Sequence, residues 1–358
     1  MRRLIVVMAI LGVAHSAHAH GIAGNRFFPG TLSFDDPAVA DESILPLFSS
    51  SKHPDEGGDV VDKRFSWSIF RLLTPTLGVG VDSGWVHRDW SSARSSGFDT
   101  TNLTVKGEIY RNDLHETLVS GGLGWGIGHS GAQGAGANAP DLIAPGIFFG
   151  KGFGDLPANL AWLRPFGITG ALTFEHPMRE TSTNFGVDSM TGQLGPMLTR
   201  NVDTLHWGFA LEFSTLYLTD RFTPGKLPKE EPLNQFVPLV EFSFVSPRGE
   251  KTVATMNPGL SYVAVSWQVA AEAIVPLNSE AGRSIGARAQ LLLFLDELIP
   301  SLFGKPLPLI SLEDCVLCLG VSFCNFSSVA ALKSARSPHR TGGLRLTCQT
   351  QEPGRFRA

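Results

Sequence analysis

Cysteine is missing from most of this 358-residue chain, since its four cysteines, Cys315, Cys318, Cys324 and Cys348, all lie near the end. This distribution excludes a disulfide scaffold and a thiolate metal site from the body of the chain. Neither sign of charge predominates either: 29 basic and 33 acidic residues are mixed along the chain, for a net charge of −4. Without a basic stripe, the sequence is not that of a nucleic-acid-binding protein.

Long hydrophobic runs are also scarce, and the one at the N-terminus is short. Residues 1–19 contain two arginines, an apolar run from Leu4 to Ala14, and the small-residue motif Ala17-His18-Ala19. This is the pattern of a secretory signal peptide. The run is about half the length that a membrane-spanning helix needs, which disfavours an anchor helix. We expect an exported chain that begins at His20 and has no transmembrane helix.

The body of the chain alternates with a period of two residues. In residues 205–217, one parity is mostly large and apolar: Leu205, Trp207, Phe209, Leu211, Phe213, Thr215 and Tyr217. The other parity is mostly small, polar or acidic: His206, Gly208, Ala210, Glu212, Ser214 and Leu216. Side chains on a strand alternate between its two faces. A strand of this length is long enough to cross a bilayer when tilted.

Similar alternation recurs from residue 63 to residue 296, separated by turn sequences. Short turns at 111–113 and 246–249 contrast with long polar loops at 91–100, 129–141, 178–202 and 221–234. Short turns on one side and long loops on the other are typical of outer-membrane barrels, which have an even number of strands. The sequence therefore predicts an all-β fold, a transmembrane antiparallel β-barrel of about 12 strands.

Aromatic residues near the segment ends support the membrane location. We expect them to form interfacial girdles, as aromatic residues do in membrane barrels. The candidates are Trp85, Trp90, Trp125, Trp162, Trp207, Tyr217 and Trp267. A soluble β-sandwich is the alternative, but its outer face is usually rich in lysine and glutamate. The polar parity here consists mostly of small residues.

Two flanking segments lack the alternation. Residues 20–62 are predicted to be a periplasmic extension or a plug within the lumen, with packing on the barrel rim as the simpler hypothesis. The barrel is assigned to residues 63–306, with its natural end near Phe294 or Phe303. Residues 307–358, which contain the cysteines, are predicted to be an irregular, disordered tail.

Charged residues on the small-residue parity are the candidate functional residues. They are expected to face the lumen, because a charge facing lipid at the midplane costs about 2–4 kcal/mol for Arg or Lys. The candidate pore-lining residues are Lys106, Glu108, Glu175, Glu212, Glu241, Glu272 and Arg288. Two interpretations stay open: a polar pore lining that tunes selectivity, or acids and bases that pair across the lumen and fill it.

Enzymatic chemistry has little support in the sequence. Residues 128–132 read Gly-His-Ser-Gly-Ala, which departs from the G-x-S-x-G motif at its last position, and no helix is predicted to follow Ser130. We therefore expect no enzyme, no cofactor and no metal site, with a barrel lipase or esterase as an alternative. Cys315-x-x-Cys318 has no second such pair and is not predicted to bind zinc.

The segments GNRFFPGTL at residues 24–32, GIFFGKGFGD at 146–155, LAWLRPF at 160–166 and NPGLSYVAV at 257–265 carry a family resemblance. In these segments the chain resembles a group of bacterial outer-membrane proteins that are similar to the phenol-degradation meta-pathway barrel proteins. The resemblance implies an outer-membrane channel for passive passage of small hydrophobic or aromatic molecules, with the lipid bilayer as partner. It implies no site residues. A structural barrel without transport is the remaining alternative.

Overall fold

The computed structural model describes residues 21–55, 58–188, 190–217 and 235–305. The predicted signal peptide at 1–19, the predicted loop at 221–234 and the predicted tail at 307–358 lie outside these ranges, as do the four cysteines. None of the helices in the described ranges is long and apolar enough to cross a membrane.

Strands make up most of the described chain, and twelve of them form one closed antiparallel barrel. In chain order the strands are β1 (Ile22–Ala23), β2 (Arg26–Phe27), β3 (Glu42–Asp55), β4 (Gly58–Thr74), β5 (Leu77–Trp90), β6 (Arg94–Phe98), β7 (Thr101–Asn112), β8 (Thr117–Ile127), β9 (Leu142–Gly152), β10 (Phe166–Pro177), β11 (Thr181–Val187), β12 (Leu194–Arg200), β13 (Thr204–Phe213), β14 (Gln235–Pro247), β15 (Val253–Val263), β16 (Trp267–Pro276) and β17 (Gly286–Phe294). The barrel order is β3-β4-β5-β7-β8-β9-β10-β13-β14-β15-β16-β17, and β17 pairs with β3 to close it. The predicted fold class and strand number are confirmed.

The remaining elements lie off the barrel wall. β1 and β2 form a small hairpin before the barrel, β6 pairs with one end of β5, and β11 pairs with β12. Two short 3-10 helices occupy connections (Gln133–Ala135 and Ala158–Leu163), and a four-residue helix, α1 (Leu295–Leu298), follows the last strand.

The two faces of the wall follow the predicted parity. Leu172, in the middle of β10, pairs with Ile147 on β9 and Trp207 on β13, and all three side chains are exposed on the outside. The Trp207 ring stacks on Phe244 of the next strand at 3.9 Å between centroids. The adjacent Ala171 is buried. The outer surface of the barrel is therefore a continuous apolar belt, which suits contact with lipid acyl chains.

The two ends of the barrel differ. At the terminal end, where β3 begins and β17 ends, the connections include residues 75–76, 113–116, 153–165 and 264–266. At the opposite end, which we call the loop end, they include 91–100, 128–141, 178–203, 248–252 and 277–285. Three predicted long loops therefore share the loop end. The predicted short turn at 246–249 also lies there, so loop length alone does not sort the two ends.

Four sequence-based assignments differ from the structure. The barrel begins at Glu42 rather than at residue 63, because serines and two prolines interrupt the apolar alternation of β3. The strand predicted for residues 205–217 ends at Phe213, and Tyr217 contacts the inside of the molecule rather than an outer girdle. Trp90 is also buried, against Val60 and Val187, instead of facing lipid.

A charge placed in the apolar belt tests its contact with lipid. We expect Leu172→Arg to lower the fraction of folded barrel strongly, since an arginine at the bilayer midplane costs about 2–4 kcal/mol. The fraction folded is read from a heat-modifiability gel, on which unboiled barrels migrate anomalously. Leu114→Arg is the matched control, because Leu114 lies in the 113–116 turn and is 79% exposed. Equal loss in both variants would contradict a lipid-facing belt.

Candidate functional site

The segment before the first barrel strand lies inside the barrel. Residues 21–41, which we call the inner segment, contact strands on several sides of the lumen. Gly30 exchanges hydrogen bonds with Gln268 of β16: its amide donates to Oε1 at 3.1 Å and its carbonyl accepts from Nε2 at 2.8 Å. On the other side of the lumen, Ser120 of β8 donates to the Pro37 carbonyl at 2.6 Å. The predicted segment is longer, residues 20–62, and its described residues from Glu42 onward belong to the wall strands β3 and β4.

Ser33 is the point at which the inner segment meets the charged residues of the wall. The backbone amides of Leu32 and Ser33 donate to the two carboxylate oxygens of Glu241, each at 2.8 Å. The Ser33 hydroxyl contacts Glu272 at 3.2 Å and accepts from Arg288 at 2.7 Å. These are charge-assisted hydrogen bonds, which are about twice as strong as neutral ones. They hold the loop of the segment near the middle of β14 and β16.

Lys106 holds the same loop from the opposite wall. Its ammonium group donates to Asp35 and to the Asp36 carbonyl, each at 2.9 Å. It also lies 5.0 Å from the ring centroid of Phe148 and 5.8 Å from that of Phe70. Lys106 is buried, and a buried ammonium needs such partners because desolvation is costly. The inner segment supplies the anion that this lysine requires.

Arg26 anchors the beginning of the inner segment at the terminal end. Its guanidinium donates to three consecutive carbonyls, those of Arg164, Pro165 and Phe166, at 2.6, 3.0 and 3.0 Å. Its Nε lies 3.5 Å from Glu116, and its Cζ lies 4.0 Å from the ring centroid of Tyr217. Arg26 is only 1% exposed.

Asp41 anchors the end of the inner segment, also at the terminal end. Its carboxylate accepts from the Leu72 amide at 2.7 Å, from Arg71 at 2.9 Å and from the Gly304 amide at 2.7 Å. Asp41 is fully buried. The inner segment is thus a loop that enters and leaves at one end of the barrel and is fastened at both of its ends.

Inward-facing glycines make room for two rings of the inner segment. A Cβ at Gly150 on β9 would lie 3.0 Å from the Phe28 ring, and a Cβ at Gly208 on β13 would lie 2.8 Å from the Phe34 ring. Both distances are too short for an ordinary contact. The small residues of the inward parity therefore accommodate packed side chains in this half of the barrel.

Beyond the inner segment, toward the loop end, the lumen holds a cavity of about 640 Å³ that we call the vestibule. Ser33, Phe34 and Asp35 form its floor. Its lining continues on β4, β5 and β7 with mostly polar residues, on β8, β9 and β10 with small and apolar ones, and on β13 and β14. It also reaches the loop residues Gly136 and Asn138. The barrel is filled in one half and hollow in the other.

Hydrogen bonds fix the connections at the loop end. Asp203, which precedes β13, accepts from His176 at 2.7 Å and from Arg248 at 3.3 Å. The His176 hydrogen bond lowers the pKa of Asp203 below its usual value. Asp141 accepts from the Gly128 amide and from Trp125, and the amide hydrogen bond is the main cause of its lowered pKa. Both carboxylates stay ionised at neutral pH, and their hydrogen bonds fix the connections at the loop end.

The seven predicted pore-lining residues fall into three groups. Lys106, Glu241, Glu272 and Arg288 bind the inner segment directly. Glu212 is buried and accepts from Thr169 at 2.6 Å, and Glu108 lies 3.8 Å from Arg111 near the terminal end. Only Glu175 lines the vestibule, where it lies 2.9 Å from His206.

Several residues that shape the lumen escaped the sequence analysis. Arg26, Ser33, Asp35 and Asp41 belong to a segment without alternation, so no parity marked them as inward-facing. Asp82 does follow the parity, because on β5 it lies on the face opposite to that of Val79 and Val81. This alternation could have identified Asp82 as inward-facing.

The serine and metal hypotheses have no supporting geometry in the described ranges. The Ser130 hydroxyl donates to the Ile127 carbonyl at 2.6 Å and accepts from the Thr101 amide at 2.8 Å, so it fastens a loop. Its neighbour His129 contacts Gln133 instead. Within the described residues, no three His, Cys, Asp or Glu side chains are grouped to hold a metal ion.

Comparison with known proteins gives structural similarity only. No protein-family model and no curated protein matches the chain. An outer-membrane channel from Pseudomonas putida F1 is similar, with a TM-score of 0.45 and 10% identity over 75% of this chain and 99% of that chain. The KdgM porin has a TM-score of 0.39 and 11% identity over 70% of this chain and 98% of that chain. The NanC porin has a TM-score of 0.37 and 9% identity over 71% of this chain and 98% of that chain.

Proposed function

We propose that this protein is an outer-membrane channel for passive passage of small molecules, and that the inner segment closes it in the structure described. The observation that carries the proposal is a closed barrel with an apolar outside whose hollow half ends on a fastened internal loop. Such a barrel belongs in the bacterial outer membrane, where the loop end would face outward. Hydrophobic or aromatic solutes are the proposed class, in line with the resemblance to phenol-degradation barrel proteins.

The charged residues that bind the inner segment have a second role in this proposal. Once the loop at Ser33 leaves the lumen, Glu241, Glu272, Arg288 and Lys106 line the opened path together with Glu175. Pore lining and lumen filling, the two interpretations of the sequence, are then two states of one set of residues. A structural barrel without transport is favoured instead if the loop never leaves, because the terminal half is filled.

Solute uptake into liposomes tests the proposal. We expect liposomes containing the protein to take up phenylalanine faster than glucose, since the vestibule contains apolar surface as well as polar groups. Both solutes cross protein-free liposomes slowly, and such liposomes are the control. If neither solute enters, with the intact chain or with the shortened chain described in the Discussion, the channel proposal is wrong and the structural barrel is supported.

A further inference from the structure

We infer that the vestibule binds a small organic cation that carries an apolar ring. This inference deepens the proposed function, on which it rests for its biological role, by naming a class of solute. The vestibule volume of about 640 Å³ lies within the range of about 300–1,000 Å³ that is usual for small-molecule sites. Its lining has two unlike walls that adjoin each other, and each wall selects one part of the ligand.

The first wall is rich in small residues. It contains Gly122, Gly124, Gly126, Ala144 and Ala171, which lie on the neighbouring strands β8, β9 and β10. Gly124 and Ala144 are paired across β8 and β9, and a Cβ at Gly124 would lie 3.4 Å from the Ala144 Cβ. Phe148 on β9 and Phe34 on the floor border this wall. The Phe148 ring approaches Gly122 and the Asn102 side chain approaches Gly126, so the part of the wall that is open to a planar ring lies at Gly124 and Ala144.

The second wall is polar and acidic. It is formed by β4, β5 and β7, which contribute Arg64, Asp82, Asn102 and Thr104. With Asp35, Asp99 and Glu175, four carboxylates line the vestibule against one guanidinium. A cavity lined mainly by one sign of charge attracts ligands of the opposite sign. The lining therefore disfavours anions.

Three of the four carboxylates already have a basic partner. Asp99 contacts Arg64 at 2.5 Å, Asp35 contacts Lys106 at 2.9 Å, and Glu175 contacts His206. Asp82 differs, because among the described residues its contact is the neutral amide of Asn102, at 2.8 Å. An ammonium group beside Asp82 would give this carboxylate a cationic partner and form a charge-assisted hydrogen bond.

Three molecules that share a ring and differ in their polar end make the test direct. They are 2-phenylethylammonium, 2-phenylethanol and phenylacetate, titrated calorimetrically into the full chain in detergent. We expect the ammonium compound to bind about tenfold more tightly than the alcohol, as a charge-assisted contact predicts, and phenylacetate to bind most weakly.

Variants separate the two walls. Asp82→Asn keeps a partner for Asn102 and removes the charge, so it should abolish the preference for ammonium while leaving alcohol binding unchanged. Asp59→Asn removes a carboxylate that is 61% exposed outside the vestibule and pairs with Lys52, and it should change nothing. Gly124→Phe should weaken binding of all three molecules by filling the space at the first wall, whereas Gly124→Ala should have little effect. Heat-modifiability gels confirm that each variant is folded.

The outcomes distinguish this inference from the channel proposal. A preference for ammonium that survives Asp82→Asn, or phenylacetate binding as tightly as the ammonium compound, would overturn the inference. Absence of binding by all three would do the same. If the molecules bind as expected but the protein takes up no solute, the binding site is supported and the channel proposal is refuted. If solutes are taken up but binding shows no preference for ammonium, the channel proposal is supported and the binding site is refuted.

Discussion

A variant in which Gly-Gly-Ser replaces residues 29–37 should conduct ions steadily in planar bilayers, whereas the intact chain should be closed most of the time. The replaced residues include Ser33, Asp35 and Asp36, which bind Glu241, Glu272 and Lys106 in the middle of the barrel. Their loss joins the vestibule to the terminal half of the lumen. The wall charges then face water, which solvates them at little cost.

The design is feasible because the two ends of the removed loop lie close together. A Cβ at Gly21 would lie 3.0 Å from the Phe28 carbonyl oxygen and 3.2 Å from the Ala38 Cβ, so a short linker can join residues 28 and 38. Arg26 and Asp41, which fasten the segment at the terminal end, stay in place. The barrel should therefore fold, as a heat-modifiability gel can show. A folded variant without steady current would contradict closure by residues 29–37.

A reversible lock provides the matched control. The Asn257 amide donates to the Ser33 hydroxyl at 2.6 Å, so Ser33→Cys with Asn257→Cys places one thiol on the loop and one on the wall strand beside it. The four natural cysteines are replaced by serine in this background. Oxidation should abolish any residual current of the intact chain, and reduction should restore it. Current that is indifferent to oxidation, with the disulfide verified by mass spectrometry, would show that the path does not pass Ser33.

The barrel could be predicted from the sequence because its signal is local and repeated. Leu211 and Glu212 occupy opposite faces in any strand, whatever the rest of the chain does. The last strand ends at Phe294, one of the two ends that the sequence allowed, and closes the sheet on β3. β3 itself was missed because Pro46, Pro54 and its three consecutive serines hide the period. When the alternation of a strand is weak, the strand can be recognised only from its pairing with neighbouring strands.

The inner segment could not be located in the same way. Its hydrogen bonds join residues more than 200 positions apart, such as Ser33 with Glu241 and Gly30 with Gln268. No periodicity encodes such contacts. The sequence left open whether the lumen is a pore or is filled, and in the structure Gly150 and Gly208 face the rings of Phe28 and Phe34. A small residue indicates a close approach, and it does not say whether water or a side chain approaches.

Replacing Arg26 should release the start of the inner segment and destabilise the protein. Arg26→Met removes three hydrogen bonds to carbonyls and the ion pair with Glu116, and leaves the buried Glu116 without its cation. Breaking a buried ion pair from one side costs about 3–5 kcal/mol. The expected result is a lower unfolding temperature and faster hydrogen exchange in residues 21–41, measured by mass spectrometry.

A substitution of Glu116, the partner of Arg26, tests whether the loss of stability in Arg26→Met is electrostatic. Glu116 also accepts from the Gly154 amide at 2.8 Å and from the Tyr217 hydroxyl, and a glutamine carbonyl can accept one of these hydrogen bonds. Arg26→Met with Glu116→Gln should therefore recover part of the lost stability, since no buried charge is left unpaired. Arg94→Met is the control: Arg94 is 75% exposed and pairs with Asp89, so its loss should cost less than about 1 kcal/mol. If the double variant is as unstable as the single one, packing and carbonyl contacts, rather than charge, fasten the segment.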